Sequence, residues 1–137
     1  MALLIDTSVL IGMERRGWPP AALATLVEAE EEVLVSTVTI SELLVGALRA
    51  DTPRRRTERE FFIDRIIEAS EIVSFDLAAA RAHARLTVAL SGSGQTIGAN
   101  DVLIAAIALA GGHEILSEDS RHFERVPGLD VRGPAWP

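Results

Sequence analysis

Cysteine is absent from the sequence, which rules out disulfides, thiolate nucleophiles and cysteine-ligated zinc. Lysine is absent as well, since all thirteen basic residues are arginines. No Gly-x-Ser-x-Gly elbow is present, and Gly92-Ser93-Gly94 with Gly98 does not make the Gly-x-x-x-x-Gly-Lys loop that cradles nucleotide phosphates. Serine-esterase chemistry and ATP or GTP hydrolysis are therefore disfavoured. No apolar run reaches the roughly 18 to 20 residues a bilayer-crossing helix needs, and no basic stretch precedes a hydrophobic one near Met1. A soluble, cytoplasmic protein is expected. A basic excess is also missing: the formal net charge is −7, whereas nucleic-acid binders usually gain affinity by neutralising phosphates.

What is present fits an ordinary globular chain, with 48% hydrophobic and 24% charged residues. Its 137 residues suffice for one well-buried core and not for two, so residues 1–137 are read as a single domain. Short apolar runs alternate with helical patterns. Ala2-Leu3-Leu4-Ile5, Val33 to Val38, Ile72 to Phe75 and Glu114 to Ser117 read as strands, with Leu129-Asp130-Val131 as a short edge strand. Between them the spacing predicts a helix starting near Val9, one from Pro20 to about Glu31, and one from about Ile40 to Arg49. An arginine-rich helix opens at Pro53, another runs from Asp76 to about Leu90, and a strongly apolar one from Asp101 closes at Gly111-Gly112. Ser91-Gly92-Ser93-Gly94 reads as a flexible loop. The alternation predicts an α/β fold with a central, mostly parallel sheet covered on both sides. Ligands of such folds bind beyond the carboxyl ends of the strands, near a switch in strand order.

Several carboxylates fall at that edge. Asp6 directly follows the first strand, where an aspartate also serves as a helix cap. Capping leaves Thr7 and Ser8 without a task, although their hydroxyls could orient a water or a phosphate oxygen. Glu42 closes Thr39-Ile40-Ser41-Glu42, a capping-box pattern in which the glutamate returns to its own backbone. Asp101 stands in the first turn of the apolar helix, where negative charge is favourable, beside Asn100, which reads most simply as a cap. Asp119 follows the fourth strand in Ser117-Glu118-Asp119, with Glu118 competing for any acidic role. Carboxylates converging after successive strands repel one another unless a proton or cation is shared. Their oxygens form a hard donor set suited to Mg²⁺ or Mn²⁺.

Two features remain open on the residues alone. Arg49, Arg54, Arg55, Arg56, Arg59 and Arg65 crowd into residues 49–65, either as a rim for a phosphate chain or as a solvated helix face paired with Glu58, Glu60 and Asp64. His83 reads as structural or solvated, His113 lies in a glycine turn, and His122 stands near Asp119 without an obvious partner.

The motifs Leu4-Ile5-Asp6-Thr7-Ser8-Val9-Leu10-Ile11, Ser41-Glu42-Leu43, Asp101-Val102-Leu103-Ile104-Ala105-Ala106 and Leu116-Ser117-Glu118-Asp119-Ser120-Arg121-His122-Phe123, in this order and spacing, resemble PIN-domain ribonucleases. The likeness is narrowest to the VapC-like toxins of type II toxin–antitoxin pairs. It implies a three-layer α/β/α PIN-like domain and an endoribonuclease dependent on Mg²⁺ or Mn²⁺. The metal-ligand and catalytic roles would fall to Asp6, Glu42, Asp101 and Asp119, supported by Ser8 and Ser117. It also implies an RNA substrate such as tRNA or rRNA, a cognate antitoxin whose tail enters the groove, and a homodimer. A capping-box Glu42 would point away from metal, so those two readings compete. Two rivals stand beside this one. A haloacid-dehalogenase-like phosphatase also begins with an aspartate after the first strand, but it needs a second aspartate where Ser8 stands, and a lysine. A non-catalytic module whose acidic groove binds a basic protein tail is the other.

Overall fold

The computed structural model describes residues 2–28 and 30–136. Strand β1 (Ala2–Ile5) leads into helix α1 (Thr7–Arg15) and a 3₁₀ segment (Pro20–Leu26). Then come β2 (Glu32–Ser36), α2 (Thr37–Leu48), α3 (Pro53–Ala69), β3 (Glu71–Val73) and α4 (Leu77–Gly92). Helix α5 (Ala99–Gly111), β4 (Glu114–Leu116), α6 (Ser120–Glu124) and β5 (Val131–Arg132) complete the chain. The strands form one sheet in the order β3-β2-β1-β4-β5, every pairing parallel.

Side-chain alternation along β1 divides the core in two. Leu3 and Ile5 point to one face and pack with Val9, Leu10 and Met13 of α1, Leu23 and Leu26 of the 3₁₀ segment, and Phe62 and Ile66 of α3. Leu4 points to the other, against Leu86 and Leu90 of α4, Ile104 and Ile107 of α5, and Phe123 of α6. Each fully buried leucine or isoleucine here contributes roughly 2 kcal/mol of transfer free energy. Both faces being covered explains why β1 is apolar throughout instead of alternating. The expected three-layer α/β/α arrangement is the one observed. No helix among the described residues is long and apolar enough to cross a membrane.

Several boundaries differ from the sequence expectation. The segment after Pro20 is not an α-helix to Glu31 but a 3₁₀ segment ending at Leu26. Pro20 opens the segment at its first position, and the Thr25 hydroxyl donates to the Ala22 carbonyl at 2.6 Å, competing for a backbone acceptor. Strand β2 stops at Ser36, and α2 begins at Thr37 rather than Ile40. The Ser36 hydroxyl caps α2 by accepting the Thr39 N–H at 3.1 Å. Helix α4 continues through Ser91 to Gly92, so only its end falls at the expected loop. Other expected caps are present: the Asp76 carboxylate accepts the Ala79 N–H at 2.9 Å, and Gly112 ends α5 in the left-handed region at φ 68°. Thr52 caps α3 ahead of Pro53.

The strand order positions the site. From β1 the chain builds the sheet outward through β2 and β3, then returns to β1's other side for β4 and β5. The carboxyl ends of β1 and β4 therefore bound the crevice at the switch in direction. Asp6 and Ser117 are the residues that emerge there.

Candidate active site

Asp6 is fixed first by backbone. Its N–H donates to the Leu116 carbonyl at 2.9 Å, extending the β1–β4 ladder one residue past the strand. Its carboxylate makes no capping bond to α1 and is 5% exposed. Oδ2 instead accepts the Ser8 hydroxyl at 2.7 Å and the buried Ser117 hydroxyl at 2.9 Å. Among the described residues nothing donates to Oδ1. Two hydroxyl donors hold the plane of the carboxylate. The two serines knit the site further. Ser8 Oγ accepts the Glu118 N–H at 3.0 Å, Ser117 Oγ accepts the Asp119 N–H at 3.0 Å, and Arg132 of β5 receives the Ser117 N–H on its carbonyl at 3.0 Å.

Glu42 is not part of a capping box. With Ser36 as the cap, Thr39 already lies within the first turn and Glu42 in the second, out of reach of a free N–H. Its carboxylate accepts the Thr7 hydroxyl at 2.8 Å, and Thr7 also lies 3.0 Å from the Thr39 hydroxyl. The residue after Asp6 thus ties the start of α1 to α2. Neither Thr7 nor Ser8 is a free hydroxyl as the sequence allowed: one orients Glu42, the other Asp6.

Asp101 sits in the first turn of α5, whose cap position is Gly98 without a side-chain bond, so Asn100 does not cap. Burial pushes its carboxyl above the ordinary value, and the negative charge of Asp6 adds to this; a hydrogen bond from His122 opposes it, and Glu42 raises it further. Asp101 therefore feels the charges of Asp6 and Glu42 across the crevice. His122 Nδ1 stands 3.3 Å from Asp101 Oδ2 and 3.4 Å from Asp119 Oδ2, bridging α5 to the turn after β4. Asp119 precedes α6 and makes no capping bond. Glu118 points elsewhere, pairing with Arg16 at 3.2 Å.

The site thus gathers Asp6, Glu42 and Asp101 around one strand edge, with Asp119 linked through His122. His122 was missed by sequence reasoning, although its spacing of three from Asp119 on a short helix was the available signal. Among the described residues no three His, Asp or Glu side chains are gathered tightly enough to hold a metal ion as they stand. The donor chemistry nevertheless suits a hard divalent cation, because the set is carboxylate and hydroxyl oxygen and Asp101 is charged against burial and against Asp6.

One groove touches these residues, and another cleft lies apart from them. A cleft of about 530 Å³ runs between α4 and α5 along Arg81, Arg85, Leu86 and Leu109 and carries no acidic side chain. A groove of about 250 Å³ between α1, α2 and α3 reaches the site at Glu42, past Ile11, Leu43 and Phe62. The arginine cluster resolves as a solvated helix face. Arg54 pairs with Glu58, Arg56 with Glu60 and Arg55 with Asp51, each at helical spacing, while Arg59 donates to the Gly46 carbonyl.

A family model described as "PIN domain" matches residues 3–129. Ribonuclease VapC1 of Rickettsia felis is 30% identical over 131 residues, covering 96% of this chain and 95% of that one. The crystal structure of VapBC-5 from Mycobacterium tuberculosis, a member of the VapBC family of toxin–antitoxin systems, contains a similar chain. It superposes with a TM-score of 0.76 at 30% identity, covering 97% of both chains. A chain of the Rickettsia felis VapBC2 complex bound to a promoter DNA fragment superposes at TM-score 0.85 and 21% identity over 100% of both chains, a likeness of fold.

Proposed function

The chain belongs to the PIN-domain family and to its VapC branch, and from that membership we propose that it is a divalent-metal-dependent endoribonuclease acting as the toxin of a toxin–antitoxin pair. The observation that carries the proposal is the convergence of Asp6, Glu42 and Asp101 at the switch in strand order, where Asp101 is partly buried and feels the charges of the other two. A carboxylate burdened in this way gains from a bound cation. Asp6, Glu42, Asp101 and Asp119 would hold Mg²⁺ or Mn²⁺. When bound, such an ion supplies Lewis acidity for water activation and for charge on the leaving oxygen of a phosphodiester.

The protein's own part is orientation. Ser8 and Ser117 fix Asp6 through Oδ2, and among the described residues nothing donates to Oδ1. Thr7 fixes Glu42, and His122 holds Asp101 toward the turn that carries Asp119. Turning Glu42 away from Thr7 and Asp101 away from His122 would free both carboxylates for the ion. That supports the proposed ligand set although no three of its members form a closed group.

The substrate class is RNA, with tRNA and rRNA the candidates. The acidic balance, net −7, suits the second partner better: an antitoxin with a basic tail. The groove between α1, α2 and α3, flanked by the exposed Ile11, Leu44, Val45 and Leu48, would seat the apolar part of that partner next to Glu42. A homodimer bringing two sites to one groove completes the proposed assembly.

The test is cleavage of the source organism's total small RNA by the antitoxin-free protein, with Mg²⁺ or Mn²⁺ and with EDTA, beside folded Asp101→Asn. Discrete, metal-dependent products absent from the variant are expected. Intact tRNA and rRNA in every lane would transfer support to a module that binds a basic tail without cutting.

A further inference from the structure

Beside the acidic crevice, the last described turn of the chain folds back onto the end of α1. The Arg16 guanidinium lies 3.9 Å above the ring of Trp136, and Trp136 meets Trp18 edge to face with centroids 5.3 Å apart. Both tryptophans pack against the buried cluster that includes Leu10 and Met13. The same guanidinium donates to the Gly12 carbonyl at 3.0 Å and to Glu118 Oε1 at 3.2 Å. Arg16 is thus held from below by an aromatic face and from behind by its own helix, and it aims at one residue. Gly12 keeps this approach open, because a Cβ there would meet Glu118 Oε1 at 2.6 Å.

Glu118 is the centre of the turn that carries Ser117 and Asp119. Its N–H is received by Ser8, whose hydroxyl is in turn donated to Asp6. We infer that Arg16, clamped by Trp136, is a positioning residue that fixes the 117–119 turn, withholding Glu118 from the acidic crevice and leaving Asp119 to face it. This rests on the proposed reading of that crevice as a metal site. The geometry separates two adjacent acids that the sequence cannot rank: Glu118 is neutralised on the outer side by Arg16, while Asp119 is directed toward His122. A turn free to rotate would bring a further negative charge toward Asp6 and Asp101.

The full chain is compared with Arg16→Met, which keeps the stem on the ring and loses the guanidinium, and with Trp136→Ala and Trp136→Phe. Amide exchange of Glu118 and Asp119 and direct Mn²⁺ titration are the readouts. Arg16→Met and Trp136→Ala should each speed exchange of both amides about tenfold and weaken Mn²⁺ binding by about three- to tenfold, the low end of effects from groups that orient ligands. Trp136→Phe preserves a ring under the cation and should restore both readouts to within about twofold. Unchanged exchange and affinity in Arg16→Met would overturn the inference, as would a Trp136→Phe defect equal to that of Trp136→Ala, which would indicate bulk packing alone. Failure of the unsubstituted chain to bind Mn²⁺ would overturn the metal-site reading and the clamp's role in it together. Equal Mn²⁺ binding by the unsubstituted chain and Arg16→Met would overturn the clamp alone.

Discussion

Replacing Ser117 with alanine isolates the contribution of the hydroxyl network to Asp6. Ser117 is fully buried, and its Oγ donates to Asp6 Oδ2 at 2.9 Å while accepting the Asp119 N–H at 3.0 Å. A hydrogen bond to an ionised carboxylate contributes about 1.5–3 kcal/mol, and the Asp119 N–H lies where water can replace part of its loss. Ser8 still donates to the same Oδ2 at 2.7 Å, so Asp6 keeps one partner. The expected net destabilisation is about 2–3 kcal/mol. For a chain of this size that lowers the melting temperature by roughly 6–10 °C, read by thermal denaturation in EDTA. The functional signature differs from the stability one. Because Ser117 orients Asp6 and touches no reacting group, the Mn²⁺ concentration for half-maximal RNA cleavage should rise about tenfold. The rate at saturating Mn²⁺ should fall much less. A melting temperature within about 1 °C of the parent, or a rate loss that saturating metal leaves unrepaired, would refute the reasoning.

Asp101→Asn should abolish cleavage yet raise the melting temperature of the metal-free protein at neutral pH. Its folded-state carboxyl is held above the ordinary value by burial and by Asp6, so ionisation costs stability as pH rises through that range; the gap to the parent should close below about pH 4. Leu4→Ala, at a fully buried position beneath α5, should cost about 2–5 kcal/mol in urea denaturation. Gly112→Ala places a Cβ at φ 68° and should cost about 1–2 kcal/mol by the same measurement. Arg54→Gln, in a fully solvated pair with Glu58, should change stability by less than about 0.5 kcal/mol.

What was legible in the sequence follows the range of the interactions. Each strand's apolar run and the helical spacing between runs are local signals, and they foretold a parallel sheet between helix layers. The emergence of Asp6 after β1 and of Ser117 to Asp119 after β4 followed from the same reading. Errors arose where two local signals competed. Thr39 to Glu42 matches a capping box, but Ser36 takes the cap because β2 ends three residues earlier, so the glutamate is free to meet Thr7. The prolines before Ala21 marked a start correctly and gave no signal that the segment would be 3₁₀ and stop at Leu26. Contacts between distant segments left no trace in spacing. His122 needs Asp101 across 21 residues, and Arg16 needs both Glu118 and Trp136. The arginine run looked like a phosphate rim only until its acidic neighbours were seen paired to it one helical turn away.

In the proposed site the carboxylates at the β1–β4 edge hold a divalent ion. The most direct measurement is anomalous X-ray scattering from crystals of the protein soaked in Mn²⁺. The account predicts a peak bounded by Asp6, Glu42, Asp101 and Asp119, with Glu42 turned away from Thr7, and loss of that peak in Asp6→Asn crystals. A peak confined to other residues, or none at a Mn²⁺ concentration that supports RNA cleavage, would contradict it.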